Sequence, residues 1–191
     1  IKHIFNKYNY KIFNVDLKTY AASYDNISED ISKSGRHSLS ICDINDTDRL
    51  RNLINKNEIN YVVNFAAESH VDNSINNSTP FVHTNINGTH SLLTLLHDCP
   101  TIERYLQVST DEVYGTLSEE DDAFTENTPI QANSPYSASK ASADLLCRSF
   151  YETFNYPILI TRCSNNYGPN QHEEKLIPLM IKKAKAGEKL P

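Results

Sequence analysis

The chain has 191 residues, of which 39% are hydrophobic and 22% charged, and a formal net charge of −6. That length allows one domain with a substantial core, or one domain and part of another. The acidic balance argues against nonspecific nucleic-acid binding, which needs clustered Lys and Arg, and no apolar run reaches the length of a membrane span. Four cysteines, Cys42, Cys99, Cys147 and Cys163, stand far apart with no CxxC pair. This excludes a compact zinc site and a secreted disulfide framework, and points to reduced thiols in the cytoplasm.

Residues 1–8 carry apolar side chains at helical spacing, but there is no start Met and no N-cap. They read as the back half of a helix, and the chain as a fragment. Residues 11–16 and 38–43 are short β-prone runs, each ending in an aspartate, Asp16 and Asp43. Residues 47–57 are predicted helical, with Leu50, Leu53 and Ile54 on one face. Residues 61–67 form a nearly continuous apolar run of the kind buried in a parallel sheet. A long helix is expected over 81–98, a strand over 104–109, and then a polar, acidic loop to about 133. A helix over 136–154, a strand over 157–162 and a final helix stopping at Gly187 complete the pattern.

Strands alternating with helices predict an α/β fold, a doubly wound parallel sheet. Ligands of such sheets bind beyond the carboxyl ends of the strands. Here those ends read Asp16, Asp43, Ala66-Ala67-Glu68-Ser69, Ser109-Thr110-Asp111-Glu112 and Cys163-Ser164-Asn165-Asn166. Taken singly, each is readable as a turn or loop. The adjacent carboxylates Asp111 and Glu112 repel each other, so they are either solvated loop decoration or a pair dividing acid and base work. Tyr136-Ser137-Ala138-Ser139-Lys140 places a phenol and an ammonium four residues apart on one helix face, where the cation would lower the phenol pKa. Alone this spacing is common in ordinary helices. Thr110 at the preceding strand end offers the hydroxyl that such a tyrosine needs as partner. His70 and His172 have no ligand set around them, so no metal is expected.

A tyrosine and lysine at this spacing, a preceding Ser-Thr and a dinucleotide-type sheet resemble the short-chain dehydrogenase/reductase superfamily. Within it, residues 15–21, 65–72, 109–115, 134–142 and 164–169 resemble, in order, the nucleotide-sugar 4,6-dehydratases. The resemblance implies a Rossmann-like NAD-binding domain over residues 1–163, lacking its first strand and Gly-rich turn, and the start of a smaller substrate-binding region over 164–191. It implies a lyase that oxidises C4 of a nucleotide-linked hexose with NAD, eliminates water across C5 and C6, and returns hydride to C6. The substrate would be dTDP-glucose, with UDP-glucose as the alternative. A noncatalytic nucleotide-binding remnant is the reading of another class.

The resemblance also distributes roles. Glu112 is the base at C5, and Asp111 the acid at C6, which has to hold its proton at neutral pH. Tyr136 is the base at the C4 hydroxyl, with Lys140 and Thr110 tuning it. Related epimerases, which only oxidise and re-reduce C4, need no acid pair. The cofactor residues are Asp16, Leu17, Lys18, Thr19, Asp43, Ile44, Phe65, Ala66, Ala67, Glu68, Thr84, Tyr136, Lys140 and Asn166. The substrate residues are Ser69, Thr110, Asn165, Glu174, Lys175 and Leu176. A homodimer is expected, through the helix bearing Tyr136 and the one near residues 84–96.

Overall fold

The computed structural model describes residues 1–190. In chain order its elements begin with α1 (Lys2–Lys7), β1 (Ile12–Asp16), α2 (Glu29–Ser32), β2 (His37–Ile41), α3 (Thr47–Asn57) and β3 (Tyr61–Asn64). Next come α4 (Val71–Asn76), α5 (Thr79–Phe81), a π-helical segment (Val82–Gly88) and α6 (Thr89–His97). The chain continues through β4 (Arg104–Thr110), a 3₁₀ turn (Asp111–Tyr114), α7 (Pro135–Phe154), β5 (Ile158–Cys163) and α8 (Leu176–Ala186). All strand pairings are parallel, in two sheets ordered β1-β2 and β3-β4-β5. The expected α/β architecture is present.

The chain divides into two compact units, residues 1–41 with the segment from Asn165 onward, and Cys42–Ser164. In the first, β1 and β2 pair from Ile12↔His37 to Asp16↔Ile41. The Arg36 guanidinium fixes the end of α1 by donating to the carbonyls of Phe5, Tyr8 and Tyr10, and it lies 4.3 Å from the Phe5 ring centroid. α8 stops at Gly187, whose φ of 68° is the left-handed geometry a helix C-terminus favours.

The second unit holds the larger core. Leu50 and Ile54 of α3, Leu92, Leu93, Leu95 and Leu96 of α6, Tyr105 of β4, and Ala143 and Cys147 of α7 are all buried. α3 coincides with its predicted span because Asp46 caps it, its side chain accepting from Arg49 N, while Leu50 and Ile54 recur one turn apart.

Two expectations are corrected. The predicted helix over 81–98 is α5, a π segment and α6 in succession, so its register changes part-way. The predicted strand over 61–67 ends at Asn64, because Asn64 Oδ1 accepts from Ala66 N and turns the chain, while Asn64 Nδ2 donates to Gln107 Oε1. Nor is it buried on both faces: Tyr61, Val63 and Phe65 are exposed. The short helices α2 and α4 carry too little periodicity to be seen in the sequence.

Candidate active site

β4 delivers its carboxyl end directly into the acid pair. Tyr105, Gln107 and Ser109 alternate into the core, and Thr110 caps the 3₁₀ turn by accepting from Glu112 N at 3.3 Å. Thr110 Oγ1 also lies 3.4 Å from Asp111 Oδ1, to which it donates. The turn is anchored from below by Val113 and Tyr114, which pack with Ala141, Phe124, Ile130 and Ala132. Asp111 and Glu112 are left half-buried above this anchor. Gly115 closes the turn at φ 102°, where a Cβ would meet the Gln131 carbonyl at 2.8 Å, so the final glycine of the motif is sterically required.

α7 supplies the second half of the centre. Ser134 and Ser137 form a reciprocal capping box, with Pro135 in the first turn, so the helix starts one residue before Tyr136. Tyr136 N donates to Ser74 Oγ at 3.1 Å, and Ser139 Oγ donates back to the Tyr136 carbonyl at 2.7 Å. The phenol is buried edge-on to Phe81, with ring centroids 6.3 Å apart. Burial, then the negative charge of Glu112, push its pKa up to about 12, while a hydrogen bond with Thr110 pulls the other way.

Lys140 follows one turn later, 5% exposed, and its ammonium donates to the Val108 carbonyl at 2.6 Å. Burial draws its pKa down, opposed first by the charge of Asp144. The tyrosine pKa is therefore raised rather than lowered, against the expectation from the helical spacing. The ammonium is committed to β4, and desolvation outweighs the remaining influences on the phenol.

Around this centre the same unit gathers several other predicted residues. Ala66, Ala67 and Glu68 are half-buried, while Phe65 and Ser69 are exposed. Their loop is clamped by a residue the sequence reading missed. Asn85, 2% exposed in the π segment, accepts from Glu68 N at 2.9 Å and donates to the Glu68 carbonyl at 3.0 Å and to Ser139 Oγ at 2.8 Å.

Asp43 accepts from Asn45 N at 2.8 Å and from its side-chain amide at 3.0 Å, and lies 3.4 Å from His83 Nε2. Burial would raise its pKa, but these partners together hold it below the usual value. Ile44 packs against Gly88, where a Cβ would stand 2.7 Å from Ile44 Cγ1 and closer still to Cδ1. Thr84 sits half-buried in the same π segment.

The remaining predicted residues belong to the other unit. Asp16, Leu17, Lys18 and Thr19 are exposed at the end of β1, where Asp16 Oδ1 accepts from Lys18 N at 2.6 Å. A cavity of about 370 Å³ opens there, lined among others by Asn14, Asp16, Lys18, Tyr24, Leu39 and Ile41. Asn165 and Asn166 are exposed in the segment after β5. Glu174 is held by the Tyr20 hydroxyl, at 3.1 and 3.2 Å from its two oxygens, with His172 edge-on to the Tyr20 ring. Lys175 immediately precedes α8, and Leu176, the first residue of the helix, is exposed.

The sequence profile of the family described as GDP-mannose 4,6-dehydratase matches residues 2–191. The chain belongs to that family. It is 45% identical over its whole length to a low-salt glycan biosynthesis protein, Agl12, of Haloferax volcanii, covering 60% of that protein. It is 46% identical, over 95% of its length, to a dTDP-glucose 4,6-dehydratase of Xanthomonas campestris pv. campestris, covering 53% of it. Among solved structures, a dTDP-glucose 4,6-dehydratase of Bacillus anthracis in complex with NAD superposes with a TM-score of 0.90 at 43% identity, over all of this chain and 58% of that one. The chain thus spans between about half and three fifths of the length of the relatives it matches. The family membership and the superposition make the fold Rossmann-like, as the alternating pattern implied.

Proposed function

We propose that this chain carries the catalytic residues of an NAD-dependent dTDP-glucose 4,6-dehydratase that forms the 4-keto-6-deoxy sugar. The observation that carries the reading is the coincidence, in one unit, of the buried Tyr136 phenol with both carboxylates of the β4 turn. The charges of Glu112 and Asp111 each act on that phenol, and Thr110 hydrogen-bonds it. Oxidation at C4 alone needs Tyr136, Thr110 and Lys140. The acid pair has a use only if water is also removed.

In this reading Tyr136 takes the proton of the C4 hydroxyl, and Thr110 orients the phenol. The C4 ketone acidifies C5, whose proton Glu112 receives, while Asp111 gives a proton to the C6 hydroxyl so that it departs as water. When bound, NAD would accept hydride from C4 and return it to C6, with Glu112 giving its proton back to C5, and the cofactor's positive charge would favour the phenolate. Asp16 would take the adenosine ribose hydroxyls, beside Leu17, Lys18 and Thr19. The exposed carboxylate and the cavity beside it are of a kind and size that suit a nucleoside. Asp43 and Ile44 would flank the adenine. Phe65, Ala66, Ala67, Glu68 and Thr84 would line the path toward the nicotinamide, and Lys140 and Asn166 would lie at that end. Ser69, Asn165, Glu174, Lys175 and Leu176 would hold the nucleotide sugar.

The relatives named dTDP-glucose 4,6-dehydratase support the dTDP sugar over its UDP counterpart. The reading extends to a cytoplasmic homodimer. Among the described residues no helix is long and apolar enough to cross a membrane. Exposed Leu145, Tyr151 and Phe154 on α7 offer apolar surface for a second copy.

Protein expressed from the complete coding sequence, given dTDP-glucose and NAD, should yield a product with the alkaline absorbance of a 4-keto-6-deoxy sugar. Glu112→Gln should abolish solvent exchange at C5 while C4 oxidation stays measurable as reduced-cofactor absorbance. No product from either dTDP-glucose or UDP-glucose would reject the dehydratase reading, and unchanged turnover in Glu112→Gln would remove that residue from the base role.

A further inference from the structure

Beneath the centre lies an ion pair that the chemistry above does not use. Asp144 stands one turn beyond Lys140 on α7, so Tyr136, Lys140 and Asp144 form a single stripe at i, i+4 and i+8. Its side chain is fully buried, and Oδ2 accepts from Arg162 Nε at 2.8 Å. Oδ1 makes no hydrogen bond of normal geometry. Arg162, from β5, has a second partner. Its Nη1 donates to the Tyr114 hydroxyl at 2.9 Å, and its guanidinium lies 5.1 Å from the centroid of the Tyr114 ring. Tyr114 is the last residue of the turn that begins with Asp111 and Glu112.

Arg162 therefore reaches both halves of the centre from behind. A shift of Tyr114 carries Glu112 with it, because only Val113 separates them in a four-residue turn closed by Gly115. On the helix side, Asp144 is a buried carboxyl whose nearest alternative cation is Lys140. Deprived of Arg162, Asp144 would draw that ammonium away from the Val108 carbonyl. A buried ion pair of this kind is seldom the most stabilising filling for its volume. Its planar fork, with two donors aimed in two fixed directions, is a means of holding two elements in register.

We propose that Arg162 is a positioning residue. Through Tyr114 it holds the turn bearing Asp111 and Glu112, and through Asp144 it holds the helix bearing Tyr136 and Lys140, so that elimination and C4 oxidation occur on one sugar without its moving. The inference rests on the dehydratase reading. Burial lifts the Asp144 pKa despite Arg162, so the pair is retained against a desolvation penalty rather than because the site favours charge.

The test uses protein from the complete coding sequence and dTDP-glucose. Tyr114→Phe keeps the ring in the core and removes only the acceptor for Arg162. C5 solvent exchange should fall about 10- to 100-fold, with KM and the rate of C4 oxidation close to those of the native protein. Arg162→Lys keeps the charge but cannot serve both directions, and should slow both half-reactions. A purely structural role would lower the unfolding temperature without separating the two half-reactions. Tyr114→Phe with native exchange, or with both half-reactions lost in equal proportion, overturns the proposal. A native protein that turns over neither sugar nucleotide overturns the dehydratase reading itself, and the coupling with it. A native protein that works beside a Tyr114→Phe variant that matches it overturns the coupling alone.

Discussion

The two compact units treat their polar residues in opposite ways. In the unit of residues 42–164, Tyr136, Lys140, Asn85 and Asp144 are buried, and each is fixed by partners from other elements, while the buried Thr110 bonds within its own turn. In the other, Asp16, Lys18, Asn165 and Asn166 are exposed, and the Asp16 carboxylate accepts from Lys18 N only two residues away. In the proposed reading, the groups assigned to the chemistry are thus buried or half-buried before any ligand arrives, whereas those assigned to binding in the other unit are mostly exposed. Electrostatic work on a substrate is most effective where water is excluded and the groups need not reorganise. Contacts to ribose and diphosphate can be made by exposed side chains that pay little desolvation. The contrast predicts that equivalent changes will cost very different amounts in the two units.

The largest effect is expected from Tyr136→Phe, which deletes one hydroxyl from the buried centre. Turnover should drop by roughly 10²–10⁴-fold, read from formation of the 4-keto product. The same variant tests the burial argument. The folded-state phenol titrates at about 12 against 10 in a free tyrosine, so the folded state binds this proton more tightly. That contribution to stability is whole below pH 10 and is lost as pH rises through about 12, amounting to ~2–3 kcal/mol. The unfolding temperature of the native protein should fall over this interval, and less steeply in Tyr136→Phe.

Next comes Gly88→Ala. The added methyl must displace Ile44, and small-to-large changes at such contacts cost about 1–3 kcal/mol. If Ile44 flanks the adenine, NAD binding measured by calorimetry should weaken while the C4 oxidation rate at saturating cofactor is retained. Equal affinity in the two proteins would remove Ile44 from the cofactor site. The smallest effect belongs to the exposed unit. Tyr20→Phe removes the hydrogen bonds to Glu174, and should shift stability by no more than about 1 kcal/mol in a denaturant titration. A loss as large as that of Gly88→Ala would erase the contrast between the units.

Much of this was legible in the sequence, for identifiable reasons. α3 was legible through Leu50, Leu53 and Ile54 on one face, a local property, and the structure adds the caps Asp46 and Ser134 at the starts of α3 and α7. The turn after β4 was placed by its motif. What escaped was non-local. The π segment reads Val-His-Thr-Asn-Ile-Asn-Gly, which an α-helix accommodates equally well. The bond from Lys140 to the Val108 carbonyl depends on how α7 packs on β4, which spacing along the helix does not show. Asn85 and Arg162 were invisible for the same reason: their partners lie 17 and 54 residues away in one case, and 18 and 48 in the other.

The π segment also makes the protein sensitive to residue count. Its i→i+5 turns hold one residue more than α-helical turns would, so α5 and α6 are out of phase with each other along what is otherwise one rod. Asn85 points at the Glu68 loop and Ser139 while Leu92, Leu93, Leu95 and Leu96 still meet the core. Removing a single residue between Val82 and Gly88 would restore one phase along the rod. It would oblige the chain to choose between clamping the loop at Glu68 and burying its leucines. The extra residue works as a phase shifter, and a deletion there would be felt both at the Glu68 loop and along α6.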